Sequence, residues 1–328
     1  MIRRVFATAV SLYVFALALL TLLNLILAEP PVWVALPNIL AVLWFFPLVL
    51  LIPLAFFVRS LQLRIATLAL YALFVVLFGS WLLPRGVPEA AETSLRFVTL
   101  NQFANNEDTA LILDAVLAHD ADVVAVQELS PAVADALAEL EEYPYRALDP
   151  DQAQPGESSL GLGIISRYPL EGATYDPEAR IQEVDLRLEG QRVTLINVHP
   201  PTPFGDDLPD EAFLGTVRSY DASVRNDNLD DILERANGAR NPVVMLGDFN
   251  LSDLEAAYRD FAAYENVYRT AEAGFGFTFP NNREVPPFPF IRIDHIWVSD
   301  DMTPLAAGVD CRETGSDHCL VWGEVALP

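Results

Sequence analysis

The 328-residue chain contains no lysine, and its 20 basic residues, all arginines, stand against 45 acidic residues. Such a charge balance repels polyanions at long range and disfavours tight non-specific binding to nucleic acid. A nuclease is made less favourable by this but is not excluded, because a bound cation and a few arginines reverse the sign of the charge locally.

Charge is also scarce in the first 85 residues, which hold five arginines and a single acidic residue, Glu29. Three apolar segments lie there, at about 5–28, 32–58 and 65–83. A helix of about 19 residues spans about 28 Å, close to the thickness of a bilayer core of ~30 Å. We therefore predict a membrane region over residues 1–85 with three transmembrane helices. The alternative for the first segment is a cleaved signal peptide, but its apolar run is long and the small-residue cleavage pattern is poor.

The arginines predict the orientation of these helices. Arg3 and Arg4 flank the first segment, Arg59 and Arg64 separate the second from the third, and the loop around Glu29 has none. Cytoplasmic loops carry the excess of positive residues, so the N-terminus is expected in the cytoplasm. Three crossings then place the remaining chain, joined by a linker over 86–93, outside the cytoplasm. The expected location is the cell membrane, multi-pass, with the lipid bilayer as partner. A cleaved first segment would leave two spans.

Residues 94–328 are acidic and long enough for one large core. Alternating or continuous apolar runs predict strands at 94–101, 121–128, 161–169, 181–189, 191–198, 242–247, 291–299, 305–312 and 319–327. Helical spacing predicts helices at 107–118, 131–142 and about 211–237. Strand hairpins mixed with a few helices indicate an α+β sandwich.

The chain is organised around residues 245–252, where Asp248 and Asn250 follow the predicted buried strand. On its own this Gly-Asp-Phe-Asn sequence is also typical of a turn. Other polar residues, however, end or follow neighbouring strands in the same way. The whole set is Asn101, Glu128, His199, Asp248, Asn250, Asp294, Asp317 and His318. His295 points away from Asp294 on its strand and is interpreted as structural, and His119 as a solvated histidine at a helix end.

Seven short motifs in order resemble the endonuclease/exonuclease/phosphatase superfamily, which has the deoxyribonuclease-I-like fold. They are Asn101, Gln127-Glu128, 166–169 (Ser-Arg-Tyr-Pro), 197–199 (Asn-Val-His), 247–250 (Gly-Asp-Phe-Asn), 293–296 (Ile-Asp-His-Ile) and 316–318 (Ser-Asp-His). The resemblance covers residues 94–328 and implies a four-layered α/β sandwich of two mixed sheets flanked by helices. The apolar segments before it resemble bacterial membrane-anchored members.

The resemblance also implies roles for the eight residues. Glu128 would be the principal metal ligand, helped by Asn101 and Asp317. His318 paired with Asp294 would activate water, which Asp248 would orient, while Asn250 and His199 would bind phosphoryl oxygens. Carboxylates about 5 Å apart repel by about 3 kcal/mol at an effective dielectric constant near 20, so the cavity requires a cation or a protonated histidine. Oxygen ligands without cysteine favour a hard cation, Mg²⁺ first and Mn²⁺ second.

Three features stand outside the family pattern. Gln102 occupies a position that is usually apolar, which questions the burial of the first strand. Arg218 and Arg225 lie seven residues apart on one predicted helix, where they contact either solvent or an anionic substrate. Cys311 and Cys319 flank the 316–318 motif, and form either a disulfide, if the domain is extracytoplasmic, or two buried thiols.

The sequence therefore predicts a membrane-anchored, metal-dependent phosphoric-ester hydrolase of the phosphodiesterase or phosphatase type. Lipid or small-molecule phosphate esters are favoured over nucleic acid as substrate, and no protein partner is inferred. The alternatives are an extracytoplasmic endonuclease or exonuclease acting on DNA or RNA, and a catalytically silent binding domain.

Overall fold

The computed structural model describes residues 2–28, 30–83, 86, 93–104, 106, 108–152, 159–204, 219–281 and 287–328. The chain forms two compact units. The first consists of Met1–Leu83 with Asp253–Arg259, and the second of Pro84–Ser252 with Asp260–Pro328.

The first unit is helical. Its helices are α1 (Ile2–Ile26), α2 (Val32–Ile39), α3 (Leu48–Phe57) and α4 (Leu61–Phe78), with 3₁₀ turns over Ala41–Phe45 and Gly79–Trp81. Within the described residues, α1 and the segment Leu61–Trp81 are each long and apolar enough to cross a membrane. The second predicted span is instead a pair of helical pieces, Val32–Ile39 and Ala41–Phe57, bent by 75° at a short break. The unit thus has two candidate spans, or three if the bent pair counts as one.

Polar contacts tie the helical unit together. Gln62 of α4 donates from Nε2 to the hydroxyls of Thr8 and Ser11 on α1, at 3.4 and 3.3 Å. Polar side chains that bond between helices in this way are a common feature of helix packing in membranes. The last predicted span begins at Leu61 rather than 65, because Ser60 caps α4 by accepting a hydrogen bond from the amide of Leu63.

The second unit is a sandwich of two mixed six-stranded sheets. Its strands are β1 (Ser94–Asn101), β2 (Val123–Gln127), β3 (Tyr145–Asp149), β4 (Leu162–Ser166), β5 (Leu170–Asp176), β6 (Ile181–Leu188), β7 (Gln191–Val198), β8 (Val243–Asp248), β9 (Glu265–Asn266), β10 (Asp294–Val298), β11 (Thr303–Asp310) and β12 (Leu320–Ala326). The first sheet has the order β11-β12-β1-β2-β4-β3, and the second has the order β5-β6-β7-β8-β10-β9.

Helices flank both sheets. They are α5 (Thr109–Leu117), α6 (Pro131–Ala138), α7 (Ser223–Gly238) and α8 (Val267–Ala271). Apolar residues of α5 and α6 pack with the outward-facing valines of β1 and β2 in one buried cluster. A second cluster fills the space between the sheets, and α7 contacts β7 of the second sheet. The four-layered α+β sandwich predicted from the sequence is confirmed.

The structure adds to and trims the predicted elements. β3 and β5 were not predicted, because their side chains are largely exposed or half-buried and lack an apolar face. The last predicted helix begins at Ser223, and residues 211–218 of the prediction lie outside the described residues. α6 ends at Ala138, four residues before the predicted end. The predicted strand over 291–299 pairs as a ladder only from Asp294 to Val298.

Candidate active site

The candidate site lies where the two sheets end together. The first sheet supplies Asn101 at the end of β1, Glu128 after β2, and Asp317 with His318 in the β11–β12 loop; the second supplies His199 after β7, Asp248 at the end of β8, Asn250 just beyond, and Asp294 at the start of β10. The structure brings all eight predicted residues together through a continuous set of side-chain contacts.

A buried histidine–aspartate pair forms the centre of the site. Nδ1 of His318 lies 3.0 Å from Oδ2 of Asp294, and Nε2 of the same ring lies 3.7 Å from Oδ2 of Asp248. Asp294 is positioned in turn by its strand pairing, since β10 and β8 place Asp294 directly opposite Asp248. A carboxylate on Nδ1 fixes the tautomer and leaves Nε2 as the reactive nitrogen.

Burial and charge shift the pKa values of these groups strongly. Burial lowers the pKa of His318, but the carboxylates of Asp294 and Asp248 outweigh it and raise that pKa well above 6.5. Burial raises the pKa of Asp248 to about 7, against the opposing charge of His318. The pKa of Asp317 is also raised, again mainly by burial. Burial lowers the pKa of His199 to about 3, so its imidazole is neutral at pH 7.

Asn101 and Glu128 form the other side of the site. Nδ2 of Asn101 lies 3.2 Å from Oε1 of Glu128 and 3.1 Å from Oδ2 of Asp248, which it bridges. The amide of Ala104 donates to Oε2 of Glu128 at 2.8 Å. Glu128 itself has a φ of 54°, a left-handed conformation that is uncommon for residues other than glycine. Backbone strain of this kind clusters at functional sites, where the surrounding contacts hold it in place.

His199 and Asn250 complete the site from the second sheet. Nε2 of His199 lies 3.6 Å from Oε1 of Glu128 and 3.7 Å from Oδ2 of Asp248. Asn250 has a φ of 48°, and its amide nitrogen donates to Oδ1 of Asp248 at 2.9 Å. Its side-chain Nδ2 donates to the carbonyl of Pro200 at 3.0 Å, and this bond fixes the orientation of the carboxamide.

The donor set fits a hard divalent cation. Asp248, Asp294 and His318 each offer a ligand atom, and these atoms lie within 4.8 Å of one another, so this cluster could hold a metal ion. The set implied by the family resemblance, Asn101, Glu128 and Asp317, lies beside it. In both sets the donors are mainly oxygens, which Mg²⁺ and Mn²⁺ prefer. The raised pKa of Asp317 and Asp248 reflects carboxylates crowded in a buried space, an arrangement that a bound cation relieves.

The loop that carries Asp317 and His318 is held at both ends. Cys311 and Cys319 form a disulfide, with sulfurs 2.05 Å apart, so of the two alternatives for these cysteines the structure has the bonded one. Nδ2 of Asn281 donates to the carbonyls of Arg312 and His318, at 3.4 and 3.3 Å. A cleft of about 290 Å³ opens next to this loop, lined by Phe103, Asn281 and residues 313–317.

Three further interpretations from the sequence concern His295, His119 and Gln102. His295 is structural, as predicted: it is buried, with Nε2 lying 2.7 Å from the carbonyl oxygen of Leu251. His119 is not solvated as expected, because its Nε2 lies 3.0 Å from Oδ2 of Asp310 and its ring stacks on Trp322. Gln102 is fully buried, so its polar side chain does not expose the end of the first strand.

Arg225 contacts neither bulk solvent nor an open substrate face. Its guanidinium is buried and donates to the backbone carbonyl of Asn250 at 2.7 Å, so it supports a site residue from behind. Arg218 lies outside the described residues. This role could not be predicted from the sequence, because the spacing of two arginines on a helix does not show what lies beneath it.

Carboxylates and histidines gathered where the two sheets of an α+β sandwich end form a site of the kind that metal-assisted hydrolysis of phosphoric esters requires. The sequence profile of the Endonuclease/Exonuclease/phosphatase family matches residues 98–318, and the chain belongs to this family. Members of the family typically depend on a divalent metal ion. No curated protein sequence matches the chain significantly.

Solved structures share the fold. TDP2 of D. rerio, in a complex with a single-strand DNA product, is 20% identical with a TM-score of 0.56, over 71% of this chain and 99% of that one. A family protein from Bacteroides thetaiotaomicron is 19% identical with a TM-score of 0.53, over 73% and 100%. The catalytic domain of human Nocturnin, with a bound sulfate anion, is 17% identical with a TM-score of 0.50, over 74% and 98%.

Proposed function

We propose that the protein is a membrane-anchored, Mg²⁺-dependent phosphoric-ester hydrolase that acts on lipid or small-molecule phosphate esters. The observation that carries the proposal is the buried His318–Asp294 pair, whose free Nε2 faces Asp248 inside the same pocket as Glu128 and His199. A structural histidine would be expected to satisfy both ring nitrogens in the core, as His295 does.

The chain's own residues then have defined tasks. The deprotonated form of His318 takes a proton from the attacking water at Nε2, and the carboxylates of Asp294 and Asp248 stabilise the imidazolium that forms. Because the same carboxylates raise the pKa of His318, this form becomes populated as the pH rises, and activity should rise with it. Asp248 orients the water, while His199 and Asn250 donate hydrogen bonds to the phosphoryl oxygens. As the water oxygen bonds to phosphorus, the bond from phosphorus to the alcohol oxygen breaks. Asn101, Glu128 and Asp317 would hold the metal ion, which when bound would supply positive charge to the phosphoryl oxygens and the leaving group.

The preference for lipid or small esters is supported by charge and by location. The chain has no lysine, and outside the first 85 residues it has 15 arginines against 44 acidic residues. Long-range attraction to a polyanion is therefore weak. Apolar helices that could span a membrane precede the sandwich in the chain. The membrane tether would favour substrates that lie in or near the bilayer.

A nuclease is the second candidate, favoured by one observation: the similar TDP2 structure was solved with a single-strand DNA product. Salt separates the two candidates. Binding to a polyanion releases counterions, so nuclease activity should fall steeply as salt rises, whereas hydrolysis of a small ester should change little. Loss of activity by more than about tenfold between 50 and 200 mM salt would favour the nuclease.

The test uses the full chain purified in detergent micelles, with Mg²⁺ or with EDTA, on a generic phosphodiester, a phosphomonoester, plasmid DNA and phospholipid vesicles. His318→Gln and Glu128→Gln should each abolish most metal-dependent turnover, by about a hundredfold or more. Glu189→Gln, in the exposed turn between β6 and β7, is the matched control. A folded protein that binds Mg²⁺ but hydrolyses none of the four substrates would contradict the proposal and leave a silent binding domain.

A further inference from the structure

A layer of polar side chains lies between the two sheets directly beneath the candidate site. On each strand involved, the residues that face the other sheet are apolar until this level is reached; β1, β2, β6 and β7 then place a polar residue there. These residues, called here the polar layer, are Thr99, Gln127, Gln182 and Asn197, and all four are completely buried or nearly so.

Hydrogen bonds join this polar layer across the sandwich. Nε2 of Gln127, in the first sheet, donates to Oδ1 of Asn197, in the second, at 2.7 Å, and lies 3.0 Å from the hydroxyl of Thr99. Nδ2 of Asn197 lies 3.2 Å from the carbonyl oxygen of Gly163 and 3.3 Å from Oε1 of Gln182. A second hydrogen bond between the sheets runs from Nε2 of Gln182, in the second sheet, to the carbonyl of Ala147, in the first, at 3.0 Å.

The polar layer is directly connected to the site through the backbone. Gln127 immediately precedes Glu128, and Asn197 lies two residues before His199. The two halves of the site therefore stand on different sheets, directly above the amide–amide bond. Apolar packing between the sheets is non-directional and tolerates small shifts, whereas a buried hydrogen bond has a narrow range of length and angle.

We infer that Gln127 and Asn197 are positioning residues, which set the distance between Glu128 on the first sheet and His199 on the second. The inference rests on the proposed function and adds to it the element that aligns the two sheets. Its physical basis is that a satisfied buried polar network specifies one arrangement of a core, where apolar contacts alone permit several.

The experiment separates positioning from stability. Gln127→Met alone leaves Oδ1 of Asn197 without its donor and should lower the urea midpoint of the full-length protein. The double variant Gln127→Met/Asn197→Leu replaces both members of the amide–amide bond by apolar groups of similar shape, so part of this loss should return, although Thr99 and Gln182 each still lose a contact. If the two amides only stabilise the fold, activity should return with stability in the double variant.

We expect part of the stability to return and function not to. In the double variant kcat for a generic phosphodiester should stay about 10- to 100-fold below wild type, with KM changed much less, as for other residues that orient a site from behind. The Mg²⁺ dissociation constant, measured by calorimetry, should rise by about tenfold because Glu128 is no longer held in place. Calorimetry reads the site without relying on turnover.

Two controls and a milder variant complete the design. Thr194→Val removes a polar contact on β7 away from the site, where Thr194 bonds to Asp185, and Tyr143→Phe removes the bond from its hydroxyl to the carbonyl of Ala121. Both should leave kcat and the Mg²⁺ affinity unchanged. If the double variant does not fold, Thr99→Val withdraws the two hydrogen bonds between Thr99 and Gln127 but keeps the bond from Gln127 to Asn197, and should lower kcat by about fivefold.

The outcomes are distinct. A folded double variant with kcat and Mg²⁺ affinity within twofold of wild type would overturn the inference, as would an unaffected Thr99→Val where the double variant fails to fold. If the wild type hydrolyses no phosphate ester, the proposed function is wrong, and the Mg²⁺ affinities still decide whether Gln127 and Asn197 position Glu128.

Discussion

At the scale of single residues, the site depends on side chains that never reach a substrate. Arg225 is buried on α7 and donates to the carbonyl of Asn250, while Asn250 occupies a left-handed conformation with a φ of 48°. A conformation of this kind costs about 1–3 kcal/mol unless neighbouring contacts fix it. Arg225 therefore helps to hold the carboxamide that we propose to bind a phosphoryl oxygen.

Arg225→Gln should lower kcat/KM by about tenfold, because a loosened Asn250 gives up about 1.4 kcal/mol of transition-state binding. Arg225→Lys keeps the charge but not the planar fork, and should lose nearly as much. Arg187→Gln, at an exposed pair with Glu171, is the control. Steady-state kinetics on a generic phosphodiester measures all three; unchanged kcat/KM in both Arg225 variants would show that Asn250 is held without them.

Tyr175 allows a test of the sandwich at high pH. Its hydroxyl donates to the carbonyl of Leu160, and burial, with a smaller contribution from Asp151 and Asp149, raises its pKa to about 12. Since the folded pKa lies above the value of about 10 in an unfolded chain, the stabilisation is complete below pH 10 and is lost as the pH rises to 12.

Subtracting the alkaline absorbance titration of Tyr175→Phe from that of the wild type should isolate one phenol that ionises near pH 12. The urea midpoint of the wild type should also fall more steeply than that of the variant between pH 10 and 12. Tyr145→Phe, at a half-exposed position, supplies the comparison. A difference titration centred at pH 10 would contradict the burial of Tyr175.

At the scale of elements, the β11–β12 loop is the part of the site with the strongest covalent support. The Cys311–Cys319 disulfide closes a loop with a sequence separation of 8, which in the chain-entropy account stabilises the fold by about 2.5 kcal/mol. The bond also limits how far Asp317 and His318 can move. Cys311→Ser/Cys319→Ser should therefore lower the urea midpoint and reduce kcat, and reducing agent should do the same to the wild type but not to the variant.

Equal urea midpoints for the wild type with and without reductant would show that the loop is held by Asn281 and its neighbours alone. The contribution of the disulfide and that of Asn281 can be measured separately, because Asn281→Ala removes the side-chain bonds to the carbonyls of Arg312 and His318 while leaving the disulfide intact.

The elements also show how far sequence patterns reach. Apolar runs predicted the strands that carry Asn101, Asp248 and His199, because a buried strand consists mainly of apolar residues. β3 and β5 lie at the edges of their sheets, where few side chains are buried, and left no such pattern. The bend between α2 and α3 was not predicted although Pro37 and Pro47 lie on either side of it, because transmembrane helices tolerate proline.

For the site, the sequence predicted the eight polar residues at strand ends but not what holds them. The polar layer could have been predicted from the alternation of side chains along each strand, since Gln127 and Asn197 continue the inward-facing positions of β2 and β7. The hydrogen bonds that join the polar layer between the two sheets could not have been predicted, because they depend on how the sheets pack. The contact of Arg225 with a backbone carbonyl likewise leaves no trace in residue types.

At the scale of the whole molecule, crowded carboxylates link the site to global stability. Four carboxylates, two histidines and two amides share one buried end of the sandwich, so Mg²⁺ should stabilise the folded chain. At a hundred times its dissociation constant a ligand adds about 2.7 kcal/mol, and thermal unfolding should move upward accordingly. Glu128→Gln should abolish most of the shift and Glu189→Gln none of it, whereas an equal shift in both variants would place the ion elsewhere.

Two observations bear on our prediction that the sandwich lies outside the cytoplasm. Disulfides are rare in the reducing cytoplasm, and the structure has one at Cys311–Cys319. The arginines at positions 3, 4, 59 and 64 favour a cytoplasmic N-terminus. Two crossings would return the sandwich to the reducing cytoplasm, so the two observations agree only if the bent pair of α2 and α3 crosses as a third span.

We therefore predict that alkaline phosphatase fused after Pro328 will be active, because that reporter folds only after export, and that a green fluorescent protein fused there will be dark. Deleting α1 changes three crossings to two and should exchange the two signals if the loop containing Arg59 and Arg64 stays in the cytoplasm. A fluorescent full-length fusion would mean that α2 and α3 re-enter the membrane on one side. The Cys311–Cys319 pair would then be reduced in the cell, and the β11–β12 loop would depend on its hydrogen bonds alone.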